Sequence, residues 1–330
     1  MDKFRVYRIH EIEKKTVARF EEVGIDELDK GEVVVRVAYS SVNYKDALAA
    51  TGAGRIIRRF PCVGGIDLSG TVVESGDARF SKGDAVIATS YDLGVAHDGG
   101  YGEYARVPAD WIVPMPKGMT LFEAMALGTA GYTAGLGVVR MEQNGLKPAN
   151  GPVVVSGATG GVGSIAIDIL SKLGYRVTAL TGKESESGYL KGLGAAEVML
   201  RQSLDLAKIR PLDKTLWAGA VDNLGGEVLA WMASTMQQHG TIASIGLAAS
   251  MSLNTTVAPF ILRGVCLLGI DSGYTPMALR QQVWQRLATD MKPNHLKDMT
   301  QTIPFDSLPT MFEKFLKSQV KGRTVVDMAA

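Results

Sequence analysis

The sequence predicts an α/β protein with two domains, one built on a doubly wound parallel sheet and the other rich in β-strand. The run Pro152–Ser164, PVVVSGATGGVGS, reads as a buried strand, a glycine turn and the start of a helix. After it, strand-like apolar runs alternate with helical patterns, which is typical of a parallel sheet. Before it, the first ~120 residues contain short β-rich runs broken by Gly, Asp and Pro. These runs are Glu32–Ala38, Ser69–Glu74, Ala85–Thr89 and Glu103–Val107.

The glycine turn has the features of a pyrophosphate-binding site. Val153–Val155 is the predicted strand, four glycines from Gly157 to Gly163 form the turn, and a helical pattern covers Val162–Leu173. Glycines let the backbone approach a pyrophosphate closely, and the first turn of a helix offers unpaired N–H groups to an anion. A second strand, Arg176–Leu180, completes a βαβ unit. The alternative is a βαβ turn that binds no ligand.

The residues after the second strand indicate which dinucleotide is bound. NAD enzymes usually place an acidic residue here, on the ribose 2′-hydroxyl. This chain has Thr181, Gly182 and Lys183 instead. A hydroxyl, a flexible glycine and a cation suit a 2′-phosphate, so the sequence favours NADPH as the cofactor. Glu184 follows directly and leaves NAD open as the alternative.

The composition is that of an ordinary globular protein. Hydrophobic residues make up 46% and charged residues 21% of the 330-residue chain, and the formal net charge is +1. Because the chain has no basic block, we expect no nucleic-acid or membrane partner. The N-terminus has no apolar leader pattern, and no apolar run is long enough to span a bilayer. Cys62 and Cys266 lie far apart, which predicts neither a disulfide framework nor a metal knuckle, and we expect a cytoplasmic protein.

The order of the predicted strands indicates where the domains begin and end. Four more strand-like runs give six in all, and they are Glu197–Leu200, Gly219–Asp222, Thr241–Ile245 and Val265–Ile270. Six strands with intervening helices complete a dinucleotide-binding sheet. The strand in the closing run VKGRTVV has no partner left in that sheet, and we expect it to return to the first domain. We therefore predict a β-rich domain over residues 1–124, a nucleotide-binding domain over 125–271, and a return to the first domain over 272–330.

Several longer strings resemble those of one enzyme superfamily. They are VNYKDALAATG (Val42–Gly52), FPCVGGIDLSGTV (Phe60–Val72), HDGGYGEYARV (His97–Val107) and LGTAGYTAGL (Leu127–Leu136). With the predicted domain order, they make the chain similar, end to end, to the medium-chain dehydrogenase/reductase superfamily. RRFPCVGGIDLSG, ILRGVCLLGIDS and QVKGRTVV resemble its zinc-free quinone oxidoreductase branch, and specifically the acryloyl-CoA reductase subfamily. The resemblance implies a Rossmann domain and a GroES-like catalytic domain.

The resemblance also bears on metal content. Zinc alcohol dehydrogenases hold their catalytic Zn²⁺ with Cys, His and Cys side chains, because thiolates and imidazole suit that ion. At the matching positions this chain has Asn43, Ile66 and Thr129. We therefore expect no metal site.

The activity that the resemblance implies is hydride transfer from NADPH to an activated double bond. The expected substrate is a small enoyl thioester, acryloyl-CoA above all, which would become propanoyl-CoA. Reduction of a quinone or an enone is one alternative. A non-catalytic NADPH-binding protein is another.

The resemblance places the expected catalytic residues in two of the strings. Asn43 and Tyr44 occupy the loop that carries a metal ligand in zinc relatives, which places them beside the nicotinamide. The Tyr44 phenol can contact the cofactor and donate a hydrogen bond or a proton, or it can pack beneath the loop. Asp67 is expected to orient Tyr44 or to relay a proton. Asp46 is open to a catalytic role, or it caps the following helix.

The resemblance assigns cofactor contacts position by position. Besides Tyr44, the residues expected to bind the dinucleotide are Thr159, Gly160, Gly161 and Val162 at the pyrophosphate, Thr181, Gly182, Lys183 and Arg201 at the 2′-phosphate end, and Leu247, Ile261, Ser272 and Ser318 near the nicotinamide. Arg201 can stack on adenine or pair with the phosphate, or it is a solvated arginine. Ser318 departs from the asparagine that is frequent in the subfamily.

Two further features suggest binding partners. Arg55, Arg58 and Arg59 cluster in GAGRIIRRFP, and Arg58 and Arg59 are candidates for binding the phosphates of CoA, although clustered arginines also occur on solvated faces. A quinone would not need them. Pro259–Ile270, PFILRGVCLLGI, ends in the last strand of the predicted sheet. Because exposed apolar edges favour pairing, and relatives in the superfamily join at this edge, we expect a homodimer.

Overall fold

The chain forms two compact units. The structure is a computed structural model that describes residues 3–330. The first unit holds the chain up to Thr129 together with Gly273–Ala288 and Leu296–Ala330, and the second holds Ala130–Ser272 with Thr289–His295. Among residues 3–330, no helix is both long enough and apolar enough to cross a membrane.

The strands and helices are numbered here in chain order. The N-terminal part contains β1 (Phe4–Ile12), β2 (Lys15–Val23), β3 (Val33–Ser41), α1 (Tyr44–Thr51), β4 (Cys62–Val63), β5 (Asp67–Ser75), β6 (Ala85–Thr89), β7 (Tyr104–Val107), β8 (Ile112–Pro114) and α2 (Leu121–Gln143). The middle part contains β9 (Val153–Ser156), α3 (Gly161–Lys172), β10 (Val177–Thr181), α4 (Ser187–Gly192), β11 (Glu197–Leu200), β12 (Trp217–Asp222), α5 (Gly226–Thr235), β13 (Met236–Ser244), α6 (Ala258–Arg263) and β14 (Cys266–Gly269). The C-terminal part contains α7 (Met277–Ala288), β15 (Thr300–Pro304), α8 (Leu308–Leu316) and β16 (Arg323–Asp327).

The second unit is built on a sheet of six strands in the order β11-β10-β9-β12-β13-β14. Every neighbouring pair is parallel. The direction of winding reverses between β9 and β12, because the chain moves outward from β9 to β11 and then returns to β12. Val153, Val154 and Val155 are fully buried, as expected for a central strand of a parallel sheet. The predicted doubly wound sheet and its six strands are confirmed.

The first unit contains a seven-stranded sheet and a three-stranded sheet. The main path of the larger sheet is β15-β16-β3-β5-β6-β8, and β7 pairs with β3. The four short strands predicted in this region are present as β3, β5, β6 and β7. Strand β16 lies antiparallel to β3, with Val325 opposite Ser41. The C-terminal strand therefore lies in the larger sheet of the first unit.

The hairpin of β1 and β2 is not predicted from the sequence. Its strands pair from Phe4 opposite Val23 to Ile12 opposite Lys15. The two turn residues, Glu13 and Lys14, have positive φ values of 50° and 63°. Two-residue hairpin turns with positive φ usually contain Asn, Asp or Gly. Because this turn consists of two charged residues, it carries none of the usual sequence signals.

One short segment near the C-terminus belongs to the second unit although both of its neighbours belong to the first. Asp168 on α3 is buried, and its carboxylate accepts hydrogen bonds from the backbone N–H groups of Asn294 and His295 at 3.0 and 2.7 Å. These bonds anchor Thr289–His295 to α3.

Candidate active site

The glycine turn brings the end of β9 and the start of α3 into close contact. Gly157 has a φ of 58°, a conformation that favours glycine. A Cβ on Gly163 would lie 2.4 Å from the carbonyl oxygen of Gly157, so a side chain does not fit there. The first N–H groups of α3 have no partner within the helix, and they fit a pyrophosphate. The predicted pyrophosphate residues Thr159, Gly160, Gly161 and Val162 lie in this turn and at the start of α3.

The residues predicted at the 2′-phosphate lie at the ends of two adjacent strands, β10 and β11. The Thr181 hydroxyl accepts a hydrogen bond from the Lys183 N–H at 3.0 Å. The Gln202 side chain donates to the carbonyl of Gly182 at 2.9 Å, which ties the loop after β10 to the loop that carries Arg201. Lys183 and Arg201 are both exposed. Two cations on neighbouring loops are an arrangement suited to a phosphate.

The other predicted cofactor residues fall in different places. Leu247 follows β13 and Ile261 lies on α6, and they are 60% and 72% exposed. The Ser272 hydroxyl lies 2.8 Å from that of Thr133. Ser318 belongs to the first unit, just beyond α8, and has a positive φ of 54°. Because asparagine adopts positive φ more readily than serine, backbone conformation alone gives a reason for asparagine at this position.

Asp67, at the start of β5, is fully buried at the centre of a polar cluster in the first unit. Its Oδ2 accepts hydrogen bonds from the Ser41 hydroxyl at 2.6 Å and the Asn43 side-chain amide at 2.8 Å. Oδ2 also accepts from the Thr129 N–H at 2.9 Å, and Oδ1 accepts from the Thr129 hydroxyl at 2.5 Å. We call these residues, with Arg323, the Asp67 cluster. Two of the predicted catalytic residues, Asn43 and Asp67, are thus in direct contact.

Arg323, on β16, enters the cluster from the opposite end of the sequence. It is 2% exposed, and its guanidinium donates to the Ser41 hydroxyl at 3.0 Å, the Asn43 side-chain oxygen at 3.1 Å and the Ala126 carbonyl at 2.9 Å. Ser41 and Asn43 therefore each bridge the cation to the Asp67 carboxyl. These bonds fix the Asn43 amide, because its oxygen faces a donor and its nitrogen faces an acceptor. Sequence reasoning missed both Arg323 and Ser41.

Gly128 interrupts α2 beside the Asp67 cluster. Its φ of 53° and ψ of −157° are not helical. A Cβ at this position would lie 2.6 Å from the Arg323 guanidinium, 2.7 Å from the Asp67 carboxyl and 2.8 Å from the Ser41 hydroxyl. The cluster therefore requires a glycine here, because any side chain would displace these polar groups.

Asp46 is a second buried carboxyl next to the cluster. It accepts hydrogen bonds from the N–H groups of Asn43 at 2.8 Å and Ile66 at 3.0 Å. Asn43, and not Asp46, is the N-cap of α1. Asp46 is the third residue of the helix and accepts from the N-cap N–H, so it stabilises the first turn from inside the helix. Burial, reinforced by the nearby Asp67 carboxyl, raises the pKa of Asp46 to about 7, while the backbone bonds oppose the rise. Asp46 therefore keeps a proton up to near-neutral pH.

Tyr44, the first residue of α1, is 53% exposed. The alternative that it packs beneath its loop is therefore wrong. The expectation that Asp67 orients Tyr44 is also wrong, because the Asp67 carboxyl is bonded to Ser41, Asn43 and Thr129. Within residues 3–330, no side chain or backbone group is hydrogen-bonded to the Tyr44 hydroxyl. The phenol is therefore accessible to a ligand.

The two arginines predicted to bind CoA have different surroundings. Arg59 is paired with Asp29, and its guanidinium lies 3.6 Å from the Asp98 carboxylate. Its charge is thus already matched by acids of the first unit, which argues against a role in substrate binding. The Arg58 side chain is 63% exposed, and its guanidinium lies 3.4 Å from the Asp92 carboxylate. Arg58 is the better candidate of the two for a substrate phosphate.

The three positions that match zinc ligands carry an amide, a hydrocarbon and a hydroxyl. Asn43 and Thr129 donate hydrogen bonds to Asp67, and Ile66 is buried. In the part of the chain that the structure describes, no group of three or more His, Cys, Asp or Glu side chains could hold a metal ion.

Two family descriptions match the chain. Residues 29–117 match "Alcohol dehydrogenase GroES-like domain" and residues 161–289 match "Zinc-binding dehydrogenase". The chain belongs to the medium-chain dehydrogenase/reductase superfamily. The Rossmann and GroES-like domains implied by the resemblance are confirmed. Although the second description names zinc, the matching ligand positions of this member are Asn43, Ile66 and Thr129.

Two relatives within this superfamily are similar over nearly their whole length. "Putative quinone oxidoreductase YhfP" of Bacillus subtilis is 48% identical over 307 residues, which cover 93% of each chain. "Acrylyl-CoA reductase AcuI" of Ruegeria pomeroyi is 46% identical over 316 residues, which cover 96% of each chain. These matches confirm the zinc-free branch that contains acryloyl-CoA reductases and quinone oxidoreductases.

Solved structures of similar proteins hold either dinucleotide. The YhdH oxidoreductase of Salmonella enterica, in complex with NADP, is 45% identical with a TM-score of 0.95, covering 98% of this chain and 99% of its own. The structure of B. subtilis YhfP, with NAD bound, is 45% identical with a TM-score of 0.97, covering 99% of this chain and 100% of its own.

Proposed function

We propose that this chain is a zinc-independent, NADPH-dependent reductase that adds a hydride to the β-carbon of the activated C=C bond of a small enoyl thioester, after which the resulting enolate takes a proton from solvent at its α-carbon. The proposed substrate is acryloyl-CoA and the product propanoyl-CoA. The observation that carries the proposal is the Asp67 cluster. Asn43 and Thr129, at two of the positions that match zinc ligands, donate hydrogen bonds to Asp67, and buried Arg323 donates to Asn43. The 46% identity to an acrylyl-CoA reductase supports the choice of substrate.

Three features support NADPH as the cofactor. The glycine turn packs closely against the start of α3, where a Cβ on Gly163 would touch Gly157, and the first N–H groups of that helix suit a pyrophosphate. Lys183 and Arg201 provide cations for a 2′-phosphate, and the Salmonella relative was solved with NADP. The B. subtilis relative was solved with NAD, so relative affinity for the two dinucleotides is the quantity to measure.

The protein's own residues would orient the reactants and stabilise charge, while bound NADPH supplies the hydride. The accessible Tyr44 hydroxyl can donate a hydrogen bond to the thioester oxygen, where negative charge develops. The Asp67 cluster holds the Asn43 amide and the Thr129 hydroxyl in fixed orientations, so that these groups need no reorganisation during the reaction. Asp46 holds a proton near neutral pH, and the Asn43 amide links it to Asp67.

The test is the oxidation of NADPH, followed by its absorbance, with acryloyl-CoA, crotonyl-CoA, a benzoquinone or no acceptor. We expect the highest kcat/KM with acryloyl-CoA. If the protein binds NADPH but turns over none of the acceptors, it is a non-catalytic binding protein and the proposal fails.

The second candidate function is the reduction of quinones or enones, which the 48% identity to B. subtilis YhfP favours. A quinone carries no phosphate, so Arg58 distinguishes the two functions. Arg58→Ala should raise KM for acryloyl-CoA and leave KM for a benzoquinone unchanged. Arg36→Ala, at an exposed arginine on β3, is the matched control. A kcat/KM that is higher for the quinone in the unaltered protein would select the second function.

We also propose that two copies associate through the edge of the sheet in the second unit. Strand β14 is the last strand of that sheet. The adjacent helix α6 exposes Leu262 at 62%, and burial of such a side chain favours association. Light scattering at micromolar concentration should give twice the mass of one chain, and Leu262→Glu should give the mass of a single chain.

A cytoplasmic location is part of the same proposal. Cys62 and Cys266 are both free thiols, which fits a reducing compartment. Fractionation of cells that produce the chain, with NADPH oxidation as the assay, would test it.

A further inference from the structure

In the side-chain amide of Asn223, the nitrogen has a hydrogen-bond partner but the oxygen has none in the described part of the chain. Asn223 follows β12 directly, and its backbone N–H and side-chain nitrogen donate to the hydroxyl and the carbonyl of Ser156 at 2.9 and 2.7 Å. Because a carbonyl can only accept, the amide nitrogen must face Ser156, and this fixes the position of the oxygen. That oxygen, Oδ1, is buried, and within residues 3–330 no donor lies in hydrogen-bond reach of it.

A buried acceptor without a donor is unusual in a folded protein and costs free energy. The neighbouring Asp222 carboxylate, in contrast, has donors. The Asp222 carboxylate accepts hydrogen bonds from the Ser156 hydroxyl and the Gly225 N–H, both at 2.8 Å. The loop after β12 is therefore held firmly, and Asn223 Oδ1 is a buried side-chain acceptor on it that a ligand donor would complete.

Asn223 lies where the winding of the sheet reverses. It follows β12, while Ser156 ends β9, and these two strands are neighbours. A Cβ on Gly157, the first residue of the glycine turn, would lie 3.1 Å from the Cβ of Asn223. In doubly wound sheets, a dinucleotide crosses the carboxyl ends of the strands at this reversal. Asn223 therefore flanks the predicted pyrophosphate position.

The strands on the two sides of β9, which are β10 and β12, face different halves of a bound dinucleotide. The ribose next to adenine lies at the end of the second strand of the βαβ unit, which is β10 in this chain. With the pyrophosphate at the glycine turn after β9, the strand on the opposite side of β9 faces the other half of the molecule. That strand is β12, and Asn223 is the residue that follows it.

We propose that Asn223 Oδ1 accepts a hydrogen bond from a hydroxyl of the ribose on the nicotinamide side of the bound dinucleotide. This inference rests on the proposed function only in that the chain binds NADPH. Asn223 then has two roles, because its nitrogen fixes the end of β9 at the glycine turn and its oxygen binds the second ribose. A residue that only braced the turn would not require a buried, unsatisfied oxygen.

The experiment compares two ligands that differ by the second ribose and its nicotinamide. NADPH binding is measured by fluorescence titration, and 2′-phosphoadenosine 5′-diphosphate, which keeps the pyrophosphate, is measured by its displacement of NADPH. Asn223→Leu removes the acceptor with little change in volume. Asn144→Leu, at an exposed asparagine of the second unit, is the matched control.

We expect Asn223→Leu to weaken NADPH about tenfold and the fragment by less than about threefold. Retained binding of the fragment shows that the glycine turn is still folded. An equal loss for both ligands would limit Asn223 to bracing the turn, and unchanged NADPH affinity would remove it from the site; either result overturns the inference. If the unaltered protein binds neither ligand, the proposed function itself fails, which is a distinct result.

Discussion

The Asp67 cluster and the glycine turn are both closely packed, but they are built from different groups. The cluster is made of charged and polar side chains, with Asp67 and Arg323 buried in it and the buried carboxyl of Asp46 beside it. The turn is made of backbone, and its key positions, Gly157 and Gly163, carry no side chain at all. The stability of the cluster should therefore fall when a charged side chain is removed. The turn should instead be disrupted when a side-chain atom is added to one of its glycines.

Removal of the cation should have the largest effect on the molecule. In Arg323→Met, Asp67 and Asp46 remain buried without the guanidinium, and breaking such a network typically costs about 3–5 kcal/mol. We expect a loss of that size in the free energy of unfolding, measured with denaturant. Arg323→Lys keeps the charge but cannot make all three guanidinium bonds, and it should restore part of the loss. A Met variant as stable as the unaltered protein would show that the cation contributes nothing.

Asp46, beside the cluster, should make the free energy of unfolding depend on pH. The glycine turn contributes no such dependence. The pKa of Asp46 is about 7 in the folded protein, against about 3.9 for an unperturbed aspartate. Because the folded state binds the proton more tightly, its contribution to stability is complete below about pH 4 and is lost as the pH rises through about 7. Asp46→Asn cannot ionise and should lack this component.

The measurement compares unfolding free energies of the two proteins from pH 4.5 to 8. The unaltered protein should lose on the order of 3 kcal/mol relative to Asp46→Asn across this range. Parallel curves would mean that Asp46 is ionised throughout.

The same contrast explains how much the sequence could predict. The glycine turn is local, because strand, turn and helix follow one another within Pro152–Ser164, and its residues are predicted correctly as a βαβ turn. The Asp67 cluster is assembled from distant segments, and Arg323 lies 280 positions from Asn43. Asn43 and Asp67 are found only through the family resemblance. No local pattern marks Arg323 as buried, since its environment is created by the pairing of β16 with β3.

Adding a single carbon to the turn should have the next largest effect. In Gly163→Ala the new Cβ would lie 2.4 Å from the Gly157 carbonyl, which must shift α3 or the turn. Overpacking of this kind costs about 1–3 kcal/mol, and we expect at least a tenfold weaker affinity for NADPH in a fluorescence titration. Gly188→Ala on α4, where a Cβ meets nothing within 4 Å, is the control and should leave the affinity unchanged. Similar affinities for both variants would mean that close packing at Gly163 is not needed.

Lys183→Ala should have the smallest effect and act on one cofactor only. Lys183 is exposed, so a pairing with the 2′-phosphate is screened by solvent, and we expect NADPH to bind about fivefold more weakly with NADH affinity unchanged. Lys191→Ala, at an exposed lysine on α4, should change neither affinity. Because the effect is electrostatic, it should shrink as salt is raised from about 0.05 to 0.5 M, whereas the steric effect of Gly163→Ala should not. If Lys183→Ala weakens both cofactors equally, the 2′-phosphate is not its partner, and Glu184 becomes the residue that selects the ribose.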